Sequence, residues 1–316
     1  MKEMTLKASI IAYVGTLVLI LTAGSVVQYF FGIIGVAVTE LMILGWSLAV
    51  LKASGVSFRT VFPFELPKLR QMFGALAIYF GAYMSAAAVS IATTTVFPSS
   101  AELEAAMISV ITERGEITAF IAAAVLPSFC EELLHRGILL SGVRNYIHKR
   151  MTAKGRYNPV GERHVIVFIL GAAFGLFHLD PIRFLPTAIL GAGLSYIALR
   201  TGSLFMPVCL HFLNNAVSVV SAFMAQTARV QEDAAAVIAG IEYPVYAYIG
   251  MAAMYIGLAL PALWVGSRLF AGSGERANRG RMLAVMTAAL ILVLGGGFAA
   301  AYGIYGAAHA AGLTGL

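Results

Sequence analysis

Two adjacent carboxylates, a histidine and a guanidinium fall inside one apolar stretch, Pro127-Ser-Phe-Cys-Glu131-Glu132-Leu-Leu-His135-Arg136. At hydrocarbon depth an ionisable side chain costs at least about 2.5–3.5 kcal/mol on insertion scales, so such residues are functional candidates by default. On a helix, Glu132 and Arg136 are four apart and share a face, where they can pair and neutralise each other. Glu131 points about 100° away and is not claimed by that pair. A lone carboxylate against apolar walls can serve as a general base. Pro127, one turn earlier, cannot donate to the helical ladder and loosens it, making room beside the acids. An ion-paired packing motif accounts for Glu132 and Arg136, but not for a second acid beside them.

Two more polar sets lie further along. Phe174-Gly-Leu-Phe-His178 ends in a histidine that, alone, reads more readily as a capped or solvated helix-end residue than as a catalyst. Phe174 sits one turn before it, on the same face. In His211-Phe-Leu-Asn214-Asn215, the spacing of four aims His211 and Asn215 at one point. A histidine and an amide converging inside a membrane suit an oxyanion hole or a metal site. An interhelical hydrogen-bonding pair is the structural alternative.

The elements that carry these residues follow from composition. The chain has 316 residues, 60% hydrophobic and 11% charged, with a mean hydropathy of +0.87. Soluble chains average about 25% charged residues, so a water-soluble globule could not hide this much apolar surface. A polytopic helical membrane protein remains, an all-α bundle of about eight or nine spans. Windows of about 19 residues place helices at 8–30, 32–51, 72–96, 117–140, 165–179, 184–199, 203–224, 243–269 and 282–306. The first two share one long apolar run, which leaves a merged hairpin or re-entrant segment open. The run after Lys2 and Lys7 imitates a signal peptide, but Leu21-Thr22-Ala23-Gly24 is a poor cleavage site, so it is read as a retained helix. Cys130 and Cys209 both fall in apolar stretches, which argues against a disulfide framework.

A cytoplasmic N-terminus tests this map. Of 21 Lys and Arg residues, Arg136 is in a helix, and only Arg114, Arg183 and Arg229 then fall outside, leaving 17 inside. The positive-inside rule requires this asymmetry. The opposite loops carry acids instead, among them Glu113, Glu116, Glu232, Asp233 and Glu242. The net charge of +6 is thus a topology signal, and no nucleic-acid partner is expected. Gly171-Ala-Ala-Phe-Gly175 and Gly295-Gly296-Gly297 fit close helix packing.

Together, Glu131-Glu132-x-x-x-Arg136, Phe174-x-x-x-His178 and His211-x-x-x-Asn215 resemble the motifs of the CAAX protease and bacteriocin-processing (CPBP) family of intramembrane proteases, in the same order. The resemblance implies an intramembrane endopeptidase in which Glu131 and His178 hold the attacking water and His211 and Asn215 stabilise the oxyanion. Glu132 and Arg136 would orient and tune the site. The expected organisation is one membrane domain over 1–316, with a catalytic core at about 117–222 and flanking helices at 1–110 and 225–316. On these boundaries His178 stands at the far end of a short helix, out of level with Glu131 and His211.

The expected substrate is a hydrophobic peptide or membrane-anchored protein, met in the bilayer of the plasma (cell) membrane. Two readings compete: a non-proteolytic binding or immunity protein of the same fold, and a transporter whose buried Glu and His relay protons. No cofactor is expected. Zinc held by a His/His/Glu set is the alternative, although the chain lacks His-Glu-x-x-His.

Overall fold

Within hydrocarbon each backbone N–H and C=O must be satisfied inside the protein, and a helix does this from its own residues. A computed structural model describes residues 2–96, 100–230, 243–271 and 279–311, and every regular element among them is helical. Among the described residues eight helical stretches are long and apolar enough to cross a membrane, so the chain is an all-α polytopic bundle. Glu232, Asp233, Glu242 and Arg276, assigned above to loops, lie outside the described residues.

The first stretch, Leu6–Ser54, is a hairpin. Helices α1 (Leu6–Leu19) and α2 (Ser25–Ser54) meet through a π turn at Ile20–Gly24, and α2 breaks at Gly32, with φ 53° and ψ −127°. Glycine adopts that conformation without the clash a Cβ would bring. Beyond it the chain doubles back: Trp46 Nε1 donates to Ala12 O and Gln28 Nε2 to Thr39 Oγ1, each at 3.0 Å. The expected pair 8–30 and 32–51 is therefore one continuous stretch with two arms. Glu113 closes the turn, its Oε1 accepting from Ile33 N at 2.8 Å.

Helices α3 (Phe58–Val61), α4 (Leu69–Val96) and α5 (Ser100–Thr112) follow. The sequence reading left the region of α5 as loop. Its Ala, Glu, Leu and Met residues are good helix formers, and it packs on the helix that carries His211.

The next stretch is one long rod with two wide turns. It runs through α6 (Glu116–Ala119), a π turn at Phe120–Val125, α7 (Leu126–Glu132), a second π turn at Leu133–Leu139, and α8 (Leu140–Ala153). Pro127 explains the first wide turn, because it has no N–H to donate and its ring crowds the carbonyl four residues back. The rod outlasts the expected end at 140 because Arg144, Asn145, Lys149 and Arg150 extend it as a polar helix.

Helices α9 (Pro159–Phe177) and α10 (Phe184–Thr201) pack closely. A Cβ on Gly171 or Gly175 would run into Ala188, Ala192 or the Phe184 carbonyl, so these glycines serve the close packing expected of them. Helix α9 starts six residues before the expected 165. Asn158 caps it, accepting from Val160 N at 3.0 Å, and Pro159 occupies the first turn, where a missing N–H does no harm.

Helices α11 (Phe205–Val230), α12 (Val245–Phe270) and α13 (Arg279–Ala310) complete the bundle, with α12 packed between α4 and α13. Of Gly295–Gly297, it is Gly296 that meets the Gly250 and Met254 backbone, while Gly295 has open space. At the C-terminal end of α12, Arg70 Nε donates to Leu269 O at 2.7 Å, Arg70 Nη2 to Ala271 O, and Arg200 Nη2 to Phe270 O. These are the acceptors a helix end leaves unsatisfied. Both cysteines are free thiols. The main apolar core lies where the hairpin meets the rod and α9, with Ile43, Leu133, Ile138, Ile166 and Leu170 buried together.

Candidate active site

The rod presents its two glutamates differently. Arg136 Nη1 donates to Glu132 Oε1 at 2.6 Å, and both side chains are fully buried. Arg136 is held further by the Gly191 carbonyl, 3.0 Å from Nη2, and its guanidinium lies 4.3 Å from the centre of the Phe174 ring. Glu131 makes no such close pair with the rod's own residues, and its Oε2 is buried without a hydrogen-bond partner. The second π turn begins directly after Glu132 and contains His135 and Arg136. Wide turns of this kind recur at functional sites, where they redirect side chains.

Phe174 is the hub of the cluster. Its ring meets those of His135, His178 and His211 edge-on, at centroid distances of 5.0, 4.9 and 5.7 Å, besides stacking under Arg136. Cation–π attraction and edge contacts let one apolar ring orient four polar groups without competing for their hydrogen bonds. Gly191 makes room for it, since a Cβ there would stand 2.5 Å from Phe174 Cβ.

His178 caps α9, its Nδ1 bonded at 2.8 Å to Phe174 O. A carbonyl only accepts, so Nδ1 carries the proton and Nε2 is the acceptor of the neutral ring. Leu179 follows at φ 53°, a left-handed conformation uncommon outside glycine, which turns the chain sharply after the histidine. His211 reaches across from α11, where its Nδ1 donates to Glu132 Oε1 at 2.9 Å and its Nε2 stands 3.9 Å from Glu131 Oε2. Glu132 thus joins Arg136 and His211, a link across helices that spacing along one helix could not reveal. Asn215 is set by a relay: Tyr79 OH donates to Asn214 Oδ1 at 3.0 Å, and Asn214 Nδ2 to Asn215 Oδ1 at 3.1 Å. With Oδ1 occupied, the Asn215 amide nitrogen is left to donate.

Glu131, His178, His211 and Asn215 all line one cavity of about 230 Å³. The difficulty over the level of His178 therefore lies in the predicted boundaries. With α9 beginning at Pro159, its far end stops beside Glu131 and His211. His135 is buried elsewhere, its Nδ1 donating to Glu131 O at 2.9 Å and its ring edge facing Tyr13, Phe174 and Phe177. The cavity also draws on Tyr79 of α4 and on Met107 and Ile111 of α5. None of these was singled out from sequence, and an isolated tyrosine or methionine in an apolar helix gives no signal of such a place. Among the described residues no three His, Cys, Asp or Glu side chains converge as a metal-ligating group.

A membrane-embedded helical bundle with carboxylate, imidazole and amide groups around one cavity has the parts that hydrolysis of a peptide bond requires. Residues 113–217, about a third of the chain, match the family described as Type II CAAX prenyl endopeptidase Rce1-like. That span contains all three motifs, so the resemblance read from the residues is borne out, and at family level it indicates an intramembrane protease of the CAAX type. No curated protein and no solved structure matches the chain.

Proposed function

We propose that the protein is an intramembrane endopeptidase using a glutamate-activated water, with Glu131, His178, His211 and Asn215 as its catalytic groups. The observation that carries this reading is their convergence on one cavity from three helices. A water between Glu131 and His178 loses a proton to Glu131 as its oxygen attacks the scissile carbonyl carbon. The carbonyl oxygen becomes an oxyanion, met by donors from α11. Asn215 offers its amide nitrogen. His211 offers Nε2–H only as the imidazolium, since Nδ1–H stays on Glu132, and the Glu132 carboxylate is then its counter-charge. Collapse breaks the C–N bond, and the proton on Glu131 passes to the leaving amine, regenerating the base.

The cavity is smaller than the 300–1,000 Å³ of common ligand pockets, which suits a short extended stretch of peptide better than a folded partner. The substrate in this reading is a hydrophobic or membrane-anchored peptide, reached from within the bilayer. Helices before the matched span contribute: Tyr79 sets the amide relay, and Tyr13 OH bonds Ala173 O at 2.7 Å. In this reading the chain works as a single membrane domain, in the cell membrane, with its N-terminus cytoplasmic. The test is mass spectrometry of peptides released in membranes bearing the wild-type protein or Glu131→Gln. New C-termini confined to the wild-type sample support the reading, and identical peptide sets overturn it.

A further inference from the structure

Arg183 and Ser218 are exposed members of the cavity lining, while Tyr79, Glu131 and His211 behind them are buried. The exposed pair marks where the cavity opens. Among the described lining residues Arg183 is the one permanent cation.

Its place is set by the turn between α9 and α10. After His178 the backbone bends at Leu179, and Asp180 Oδ1 accepts from Ile182 N at 2.9 Å and from Arg183 N at 3.2 Å. One turn on, the Thr187 hydroxyl donates to Arg183 O at 2.6 Å. The turn that brings His178 to the site thus brings Arg183 to the opening. The guanidinium reaches toward α5, where Nη1 donates to Met107 Sδ at 3.1 Å. A thioether is a weak, uncharged acceptor and neutralises nothing. Asp180 is engaged with backbone amides, and among the described residues no ion pair includes Arg183.

An arginine that only anchored the bundle at a membrane surface would extend its head outward to water or lipid headgroups. This one lies along the cavity wall instead, bonded to another of the lining residues. An ionised Glu131 behind it repels an entering anion, and a cation at the opening offsets that repulsion and gives the anion a place to dock.

We propose that Arg183 determines specificity, binding a carboxylate that the peptide substrate carries within a few residues of the cleaved bond. This rests on the reading of the cavity as the site of peptide hydrolysis. The planar guanidinium presents two parallel N–H groups to the two carboxylate oxygens, a fit that an amide cannot copy. Two sources share this chemistry, the C-terminus of the substrate and an internal Asp or Glu side chain. A cavity of about 230 Å³ leaves room for only a short stretch of chain between that carboxylate and Glu131.

The probe is an equimolar set of short N-acetylated apolar peptides. Each is made with a free or amidated C-terminus and with Glu or Gln walked through its internal positions. Full-length wild type, Arg183→Gln and Arg183→Glu in detergent act on the whole set, and mass spectrometry reads relative kcat/KM. Wild type should favour carboxylate-bearing peptides over the fully neutral form by about tenfold. In Arg183→Gln that ratio should fall to near one, and in Arg183→Glu below one. Preference lost on amidation assigns the carboxylate to the C-terminus, and preference that follows Glu assigns it to a side chain. No preference in wild type, or one ratio common to all three proteins, overturns the proposal. So does an equal loss over every peptide with a lowered Tm, the mark of a surface anchor. If no cleavage depends on Glu131, the protease reading falls and binding decides alone. Peptides that co-elute with Glu131→Gln on size exclusion should then be enriched in carboxylate forms, and those with Glu131→Gln/Arg183→Gln should not. Equal enrichment, or no retention at all, overturns the proposal.

Discussion

At the scale of residues, the two adjacent glutamates illustrate how a single position decides between holding and reacting. Glu132 Oε1 is shared by Arg136 at 2.6 Å and His211 at 2.9 Å, whereas Glu131 lines a cavity, with His211 Nε2 3.9 Å from its Oε2. Glu131→Gln keeps the shape and removes the base, so turnover should vanish with Tm and yield close to wild type. Removing one partner from a buried ion pair leaves an uncompensated charge, a loss of about 3–5 kcal/mol. Glu132→Gln and Arg136→Ala should therefore lower both activity and Tm, read by size-exclusion and thermal unfolding in detergent. Equal losses of activity in all three at unchanged Tm would count against this division. The α11 pair gives the next prediction. Losing one oxyanion donor costs about 100- to 1,000-fold in rate, so Asn215→Ala should keep measurable turnover, and activity should survive EDTA and phenanthroline. His211→Ala also removes one of the two partners of Glu132 and should lose stability as well, which Asn215→Ala should not. Activity restored by adding zinc to stripped wild-type protein would defeat the metal-free reading.

At the scale of elements, the short helices α9 and α10 decide whether the motifs meet. Their approach depends on glycine at three positions, and Gly191 is the critical one because it faces Phe174 and its carbonyl also receives Arg136. Gly191→Ala adds a methyl group against a ring wedged among four polar side chains. Overpacking of this kind costs about 1–3 kcal/mol, and the displaced ring should cut kcat well beyond the effect on KM. The same change at Gly295, which has open space around it, should leave both unchanged and serves as the control. Much of this was legible beforehand. Apolar runs predict the spans, and the spacing of four predicts the Glu132–Arg136 contact and the common face of His211 and Asn215. What escaped was long-range or depended on turn geometry. The π turns flanking α7 leave no mark beyond Pro127, and the early start of α9 hangs on the Asn158-Pro159 cap alone. Tyr79, 135 residues from the Asn214 it orients, looks like any other aromatic in an apolar helix.

At the scale of the molecule, the bend at Gly32 sets the parity of the whole path. With two arms in the first stretch and one in each of the other seven, the described residues would make nine crossings, which would put the two ends on opposite sides. The contacts of the basic residues fit one such arrangement. Arg70 and Arg200 meet at the C-terminal end of α12, and Lys149 reaches Glu3 at 2.8 Å beside the start of α1, all at ends assigned to the cytoplasm. His211 lies six residues from the start of α11, about 9 Å along the helix, so with a cytoplasmic N-terminus the proposed catalytic groups would sit in the cytoplasmic half of the bilayer. Anionic lipid on that side attracts the basic ends, which is the physical origin of the asymmetry. A reporter fused after residue 155, between α8 and α9, should therefore read as cytoplasmic, and one after residue 114, beyond α5, as external. Replacing Gly32 with Ala disturbs the turn through both its positive φ and its contact with Glu113, and should lower Tm without changing either reading. Reporters at 155 and 114 found on the same side would break the odd count of crossings, and with it the placement of the active site near the cytoplasmic face.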